Sequence, residues 1–124
     1  MTVTIQAKSE QNLSPYSNMI DVECTYYYPT GNLTCTQTVP MHKRTIAMNK
    51  QFVKNLGFTH GDTVIMYYDK QIVGYYEIED TGAFKGNVVD IFVDDTTDWN
   101  ERFYKDLKQY GRIDAEIQIV KAVG

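Results

Sequence analysis

Apolar and polar residues alternate with a period of two along much of this chain, the spacing of a half-buried strand. Ile113 to Lys121 shows it most cleanly, with Ile113, Ala115, Ile117 and Ile119 on one face. Thr2 to Lys8 carries the same pattern at Val3, Ile5 and Ala7. Met19 to Tyr28 alternates less regularly but is rich in β-forming residues, and Arg44 to Met48 is a short apolar run. Thr63 to Tyr68 and Gln71 to Glu79 are separated by Asp69-Lys70 alone, which predicts a tight hairpin. Asn87 to Val93 contains VVDIFV, a buried-looking strand interrupted by one aspartate.

A 3.6-residue period replaces this alternation in two places. Gln51 to Leu56 reads as a short helix, with Asn49 as N-cap and Gly57 as its stop. Trp99 to Tyr110 places Trp99, Phe103 and Leu107 on one face, with Gly111 at its end. Asp98 and Glu101 have the spacing of a capping box, with Asp in place of Ser or Thr. Six to eight strands with helices between the later ones predict a small closed barrel rather than a sandwich, with some parallel pairing. At 124 residues the chain is one domain. Residues 1–18 are expected to be an N-terminal strand and extension, of which 8–18 are polar and turn-rich, and 19–124 the folded domain.

Charge and composition narrow the function classes. Twelve basic residues against sixteen acidic give a net charge of −4, the wrong sign for a generic binder of nucleic-acid backbones. No stretch is long and apolar enough to span a membrane. The opening MTVTIQAKSEQ lacks a basic stretch followed by an apolar run. Three settings are therefore open: the cytoplasm, delivery by a phage, or a mature exported form. Two cysteines, Cys24 and Cys35, and two histidines, His42 and His60, have no ligand-like spacing, so neither a metal nor a cofactor is expected. If the segments flanking Pro29 to Asn32 pair as a hairpin, Cys24 and Cys35 lie close enough for a disulfide; otherwise they are two reduced thiols. Ten tyrosines stand against five phenylalanines and one tryptophan. The runs at 26–28, 67–68 and 75–76 fall on strands, so each sends at least one ring outward and one inward. The outward rings, Tyr27 among the candidates, suit sugar stacking or ordinary cross-strand packing.

The chemistry concentrates in Glu79 to Phe92, EDTGAFKGNVVDIF. Asp90 sits among Val88, Val89, Ile91 and Phe92, where a carboxylate is costly unless hydrogen-bonded or neutral. Burial, and a second carboxylate nearby, would raise its pKa, and a carboxylic acid that keeps its proton is what acid-catalysed glycosidic cleavage requires. The plainer alternative is that Asp90 faces solvent or caps a loop.

This segment resembles the EDTGGAIKGNRIDIF signature of the 3D domain. That family is named for three aspartates and occurs in membrane-bound lytic transglycosylase A and in stationary-phase survival proteins. TIAMNK at 45–50 resembles the family's T-x-A-V-D-P segment, and GDTVIM at 61–66 its G-T-x-V-x-I strand. The likeness runs over about residues 20–121 and is specific mainly at 79–92. It implies a mainly β protein, a six-stranded double-psi β-barrel with one or two short helices, related to the barrels of expansins and rare lipoprotein A. It also implies Asp80 as the second family aspartate and Asp90 as the third, which is taken as the catalytic acid. Two features depart from the pattern. Asn49 stands where the family has its first aspartate, and the loop after Thr81 is one residue short.

The expectation is therefore a lytic transglycosylase-like protein that cleaves peptidoglycan, or another glycan strand, through a single aspartate. Such a reaction needs no activated water, so one acid can serve twice. Asp90 would be acid then base, and Asp80 would orient it or stabilise cationic charge. Asn49 and Thr81 would position the saccharide, with Tyr27 lining the cleft. Lys85 would meet a peptide-stem carboxylate unless it is simply a solvated loop lysine. The alternative is a catalytically degenerate barrel, a glycan-binding or assembly module with a protein partner, for example in a phage particle.

Overall fold

In a computed structural model the alternating pattern resolves into six strands and two helices; the structure describes residues 18–58, 62–83 and 85–122. In chain order they are β1 (Ile20–Tyr27), β2 (Thr45–Met48), α1 (Lys50–Asn55), β3 (Thr63–Tyr68), β4 (Gln71–Thr81), β5 (Val88–Phe92), α2 (Arg102–Tyr110) and β6 (Ile113–Val120). The strand expected at Thr2 to Lys8 lies outside the described residues.

The six strands form one sheet that closes into a ring in the order β1-β5-β2-β4-β3-β6, with β6 returning to β1. Two pairs are parallel, β1 with β5 and β2 with β4; the others are antiparallel. Alternation does the sorting. Val22 and Cys24 of β1, Ile46 and Met48 of β2, Val89 and Ile91 of β5, and Ile113, Ala115, Ile117 and Ile119 of β6 point into the closed interior. Asp69 and Lys70 both take positive φ, as a two-residue hairpin between right-twisted strands demands. Tyr76 faces the core while its neighbour Tyr75 is exposed, and the Tyr76 hydroxyl meets that of Tyr104 on α2 at 2.7 Å, so neither buried oxygen is left unpaired.

Two local expectations are corrected. Helix α2 begins at Arg102, not Trp99: the Asp98 carboxylate accepts from the Asn100 N–H and closes a turn of its own, and Glu101 is the N-cap but its side chain pairs with Lys43 and makes no capping bond to the helix. Trp99 still packs on Tyr26 and Tyr104 ahead of the helix. Strand β4 runs two residues past Glu79, because it is paired to β2 as far as Thr81. Of the two alternatives for the cysteines the reduced one is found: Cys24 and Cys35 form no disulfide. The chain after Tyr28 does not fold back onto β1, whose two edges are taken by β5 and β6. Cys24 is sealed in the core against Met66, which pushes its thiol pKa well up, whereas Cys35 is exposed.

Candidate functional site

Strand register brings the two motif aspartates together. Ala47 on β2 pairs with Asp90 of β5 on one side and with Asp80 of β4 on the other. The three side chains share the outer face of the sheet, since Val89 and Ile91 flank Asp90 on the inner one. Two strand spacings separate the aspartate backbones, about 10 Å, and only the Ala47 methyl group stands between them. A bulge sets this up: Ile46 pairs with Ile78 and Ala47 with Asp80, so Glu79 is the extra residue.

Asp90 is half-buried, and Thr25, its neighbour on β1, donates a hydroxyl hydrogen bond to Oδ1 at 2.6 Å. Burial holds the Asp90 pKa above the ordinary aspartate value. The Thr25 bond and the charge of Arg112 oppose that rise without cancelling it. Thr25→Val should therefore raise the pKa further. If Asp90 acts as an acid, the high-pH limb of a pH–rate profile should move upward in that variant. An unmoved limb would show that Thr25 does not control the protonation of Asp90.

Asp80 accepts, at Oδ1, the backbone N–H groups of Cys35 at 3.2 Å and Thr81 at 3.0 Å. The β1–β2 connection is thereby drawn over the end of β4. It is held there by Glu79 as well, whose backbone carbonyl accepts from the Thr36 hydroxyl and N–H at 3.1 and 3.3 Å. The Glu79 carboxylate is buried, takes the Thr45 hydroxyl at 2.6 Å, and pairs with Arg44 Nε at 3.0 Å. Arg44 in turn donates to the Val39 carbonyl.

Tyr27 lies two residues along β1 from Thr25, on the same face, with its ring edge-on to Phe92. Its hydroxyl oxygen is buried and has no hydrogen-bond partner among the described residues. Burial raises its pKa first, and the charges of Asp80, Asp90 and Glu79 raise it further, so it stays a protonated donor.

Asn49 does something else. Its Oδ1 caps α1 by accepting from the Phe52 N–H at 2.6 Å, and its Nδ2 donates to the Gly86 carbonyl at 3.2 Å. It shares a second groove with Lys85, between α1 and the β4–β5 loop. Thr81 and Asp80 instead line a cleft of about 660 Å³ between α1, the end of β4 and residues 35–36. The six candidate residues thus fall into two neighbouring groups. Asp80 and Thr81 line the cleft, with Asp90 across Ala47 from Asp80 and Tyr27 on that same sheet face but neither of them lining it, and Asn49 and Lys85 share the second groove. Sequence reasoning did not single out Thr25, Glu79, Arg44 or Cys35 as site residues. Thr25 is 65 positions from Asp90 and only register joins them.

Among the described residues no group of three or more His, Cys, Asp or Glu is placed to hold a metal ion, and no helix is long and apolar enough to cross a membrane. No protein-family model matches this chain, and no curated protein sequence does either.

Proposed function

We propose that this chain cleaves glycan strands of the peptidoglycan type by the non-hydrolytic route of a lytic transglycosylase, on a double-psi β-barrel. The observation that carries the reading is Asp90: a half-buried carboxyl with a raised pKa, anchored by Thr25 and placed across Ala47 from Asp80. Two parallel pairs between strands far apart in sequence, and a β1–β2 connection crossing the end of β4, support the double-psi topology.

Protonated Asp90 gives its proton to the glycosidic oxygen as the bond from that oxygen to the anomeric carbon breaks. The carboxylate left behind takes the proton of the same sugar's C6 hydroxyl, whose oxygen closes onto the anomeric carbon. No water is consumed, and Asp90 ends protonated as it began, having given one proton and taken another, ready for the next turnover. The Asp80 carboxylate offsets cationic charge on the ring during the step.

The experiment is release of anhydro-sugar fragments from purified sacculi, measured by mass for wild type and Asp90→Asn. Equal inertness of the two would sink the catalytic reading. A second reading, a binding or assembly module of the same barrel, is favoured by Asn49. Its side chain is already used by the helix cap and by Gly86, where the family carries a charged aspartate. That reading expects sacculus binding without any product.

A further inference from the structure

The cleft beside Asp80 has a chemical character of its own. One wall is apolar, built by Val53 on α1, Phe58 just after it, and Ile78 of β4. Lys50 and Lys54 stand at its edge, four residues apart and therefore on one side of the short helix. Both are exposed, and neither is in an ion pair or side-chain hydrogen bond with a described residue. The arginines of this chain, by contrast, are tied up: Arg44 with Glu79, Arg102 with Asp69, and Arg112 with Glu23. On a protein of net charge −4, two uncommitted ammonium groups beside an apolar wall form a local site for an anion that also carries apolar groups. At about 660 Å³ the cleft is in the range of clefts that hold small ligands, roughly 300–1,000 Å³, and larger than one carboxylate needs.

We infer that this cleft binds the acidic peptide branch carried by the glycan. Lys50 and Lys54 hold its carboxylates, while Val53, Phe58 and Ile78 receive its small apolar side chains. The inference rests on the reading of the chain as a glycan-acting protein, and it gives that protein a means of choosing peptide-bearing strands. The position fits the chemistry, since Asp80 is itself a lining residue of the cleft and the branch would be gripped next to the proposed site of cleavage. Lys85, which the sequence offered for this task, lines other grooves.

The test is a binding titration with two soluble probes, a muramyl peptide with free carboxyls and the same molecule with those carboxyls amidated. Wild type and Asp90→Asn should both bind the acidic probe about tenfold more tightly than the amidated one. Lys50→Gln combined with Lys54→Gln should remove that preference without altering thermal stability, because both side chains are exposed. Added salt should weaken the acidic probe selectively. Equal binding of the two probes, an unchanged preference in the double variant, or no binding at all would overturn the inference. Tight binding of the acidic probe by a wild type that releases no sugar would support the cleft and sink the cleavage reading, so the two failures are distinguishable.

Discussion

Replacing Asp90 by asparagine is expected to lower anhydro-sugar release by about a hundred- to ten-thousandfold while leaving the protein folded. Asparagine keeps the shape of the side chain and an oxygen to accept the Thr25 hydroxyl, but it has no acidic proton to give. Stability should move the other way. The Asp90 pKa in the folded protein lies above its unfolded value, chiefly through burial. Such a carboxyl stabilises the fold fully below its unfolded pKa and loses that contribution as pH rises through the folded one. At neutral pH the ionised side chain is therefore a net burden, and Asp90→Asn should melt at or above the wild-type temperature. Near pH 3 the difference should vanish. Thermal melts at the two pH values, run beside the sacculus assay, separate loss of an acid from loss of the fold. A variant that is inactive because it is unfolded would contradict both halves of the expectation.

Glu79→Ala should give the largest loss of stability among substitutions near the site, about 3 kcal/mol, or roughly a 12 °C fall in melting temperature. The carboxylate is buried on a bulge and satisfies two partners at once, the Thr45 hydroxyl and Arg44 Nε. Thr45 is itself fully buried, so its hydroxyl would be left without an acceptor, and Arg44 would lose its anion. The consequence should reach the site, because the same strand end holds the connection that delivers the Cys35 N–H to Asp80. Glu79→Gln, which keeps one acceptor for Thr45, should recover more than half of the loss. A Glu79→Ala protein that melts within a degree or two of wild type would mean that this buried pair does not fasten the β1–β2 connection.

What could be read from the residues, and what could not, divides along range. The alternation of Ile113 to Ile119 and the bounds of Thr63–Tyr68 were legible because a strand's inward face is written locally. The cap at Asn49 was legible for the same reason: its bond to the Phe52 N–H spans three residues. The start of α2 was misjudged because Asp98 offers its carboxylate equally well to a helix or to a tight turn, and Asn100 takes it. The β1–β5 and β2–β4 parallel pairs lie beyond any local signal, and the site depends on them. Asp80 and Asp90 were legible as a pair of acids, but not that Ala47, more than thirty residues upstream, is the strut between them. Thr25 and the burial of the Tyr27 hydroxyl belong to the same class. Lys50 and Lys54 carry a local signal, since an i, i+4 pair on the helix following Asn49 must share a side.

The most direct test of the central claim is mass analysis of the fragments that wild-type protein releases from purified sacculi in isotopically labelled water. A single acid that hands a proton over and takes one back predicts fragments ending in an anhydro sugar, lighter by one water than hydrolysis products and free of label. Reducing ends that carry the label would contradict it, because they would require an activated water that the proposed step does not use.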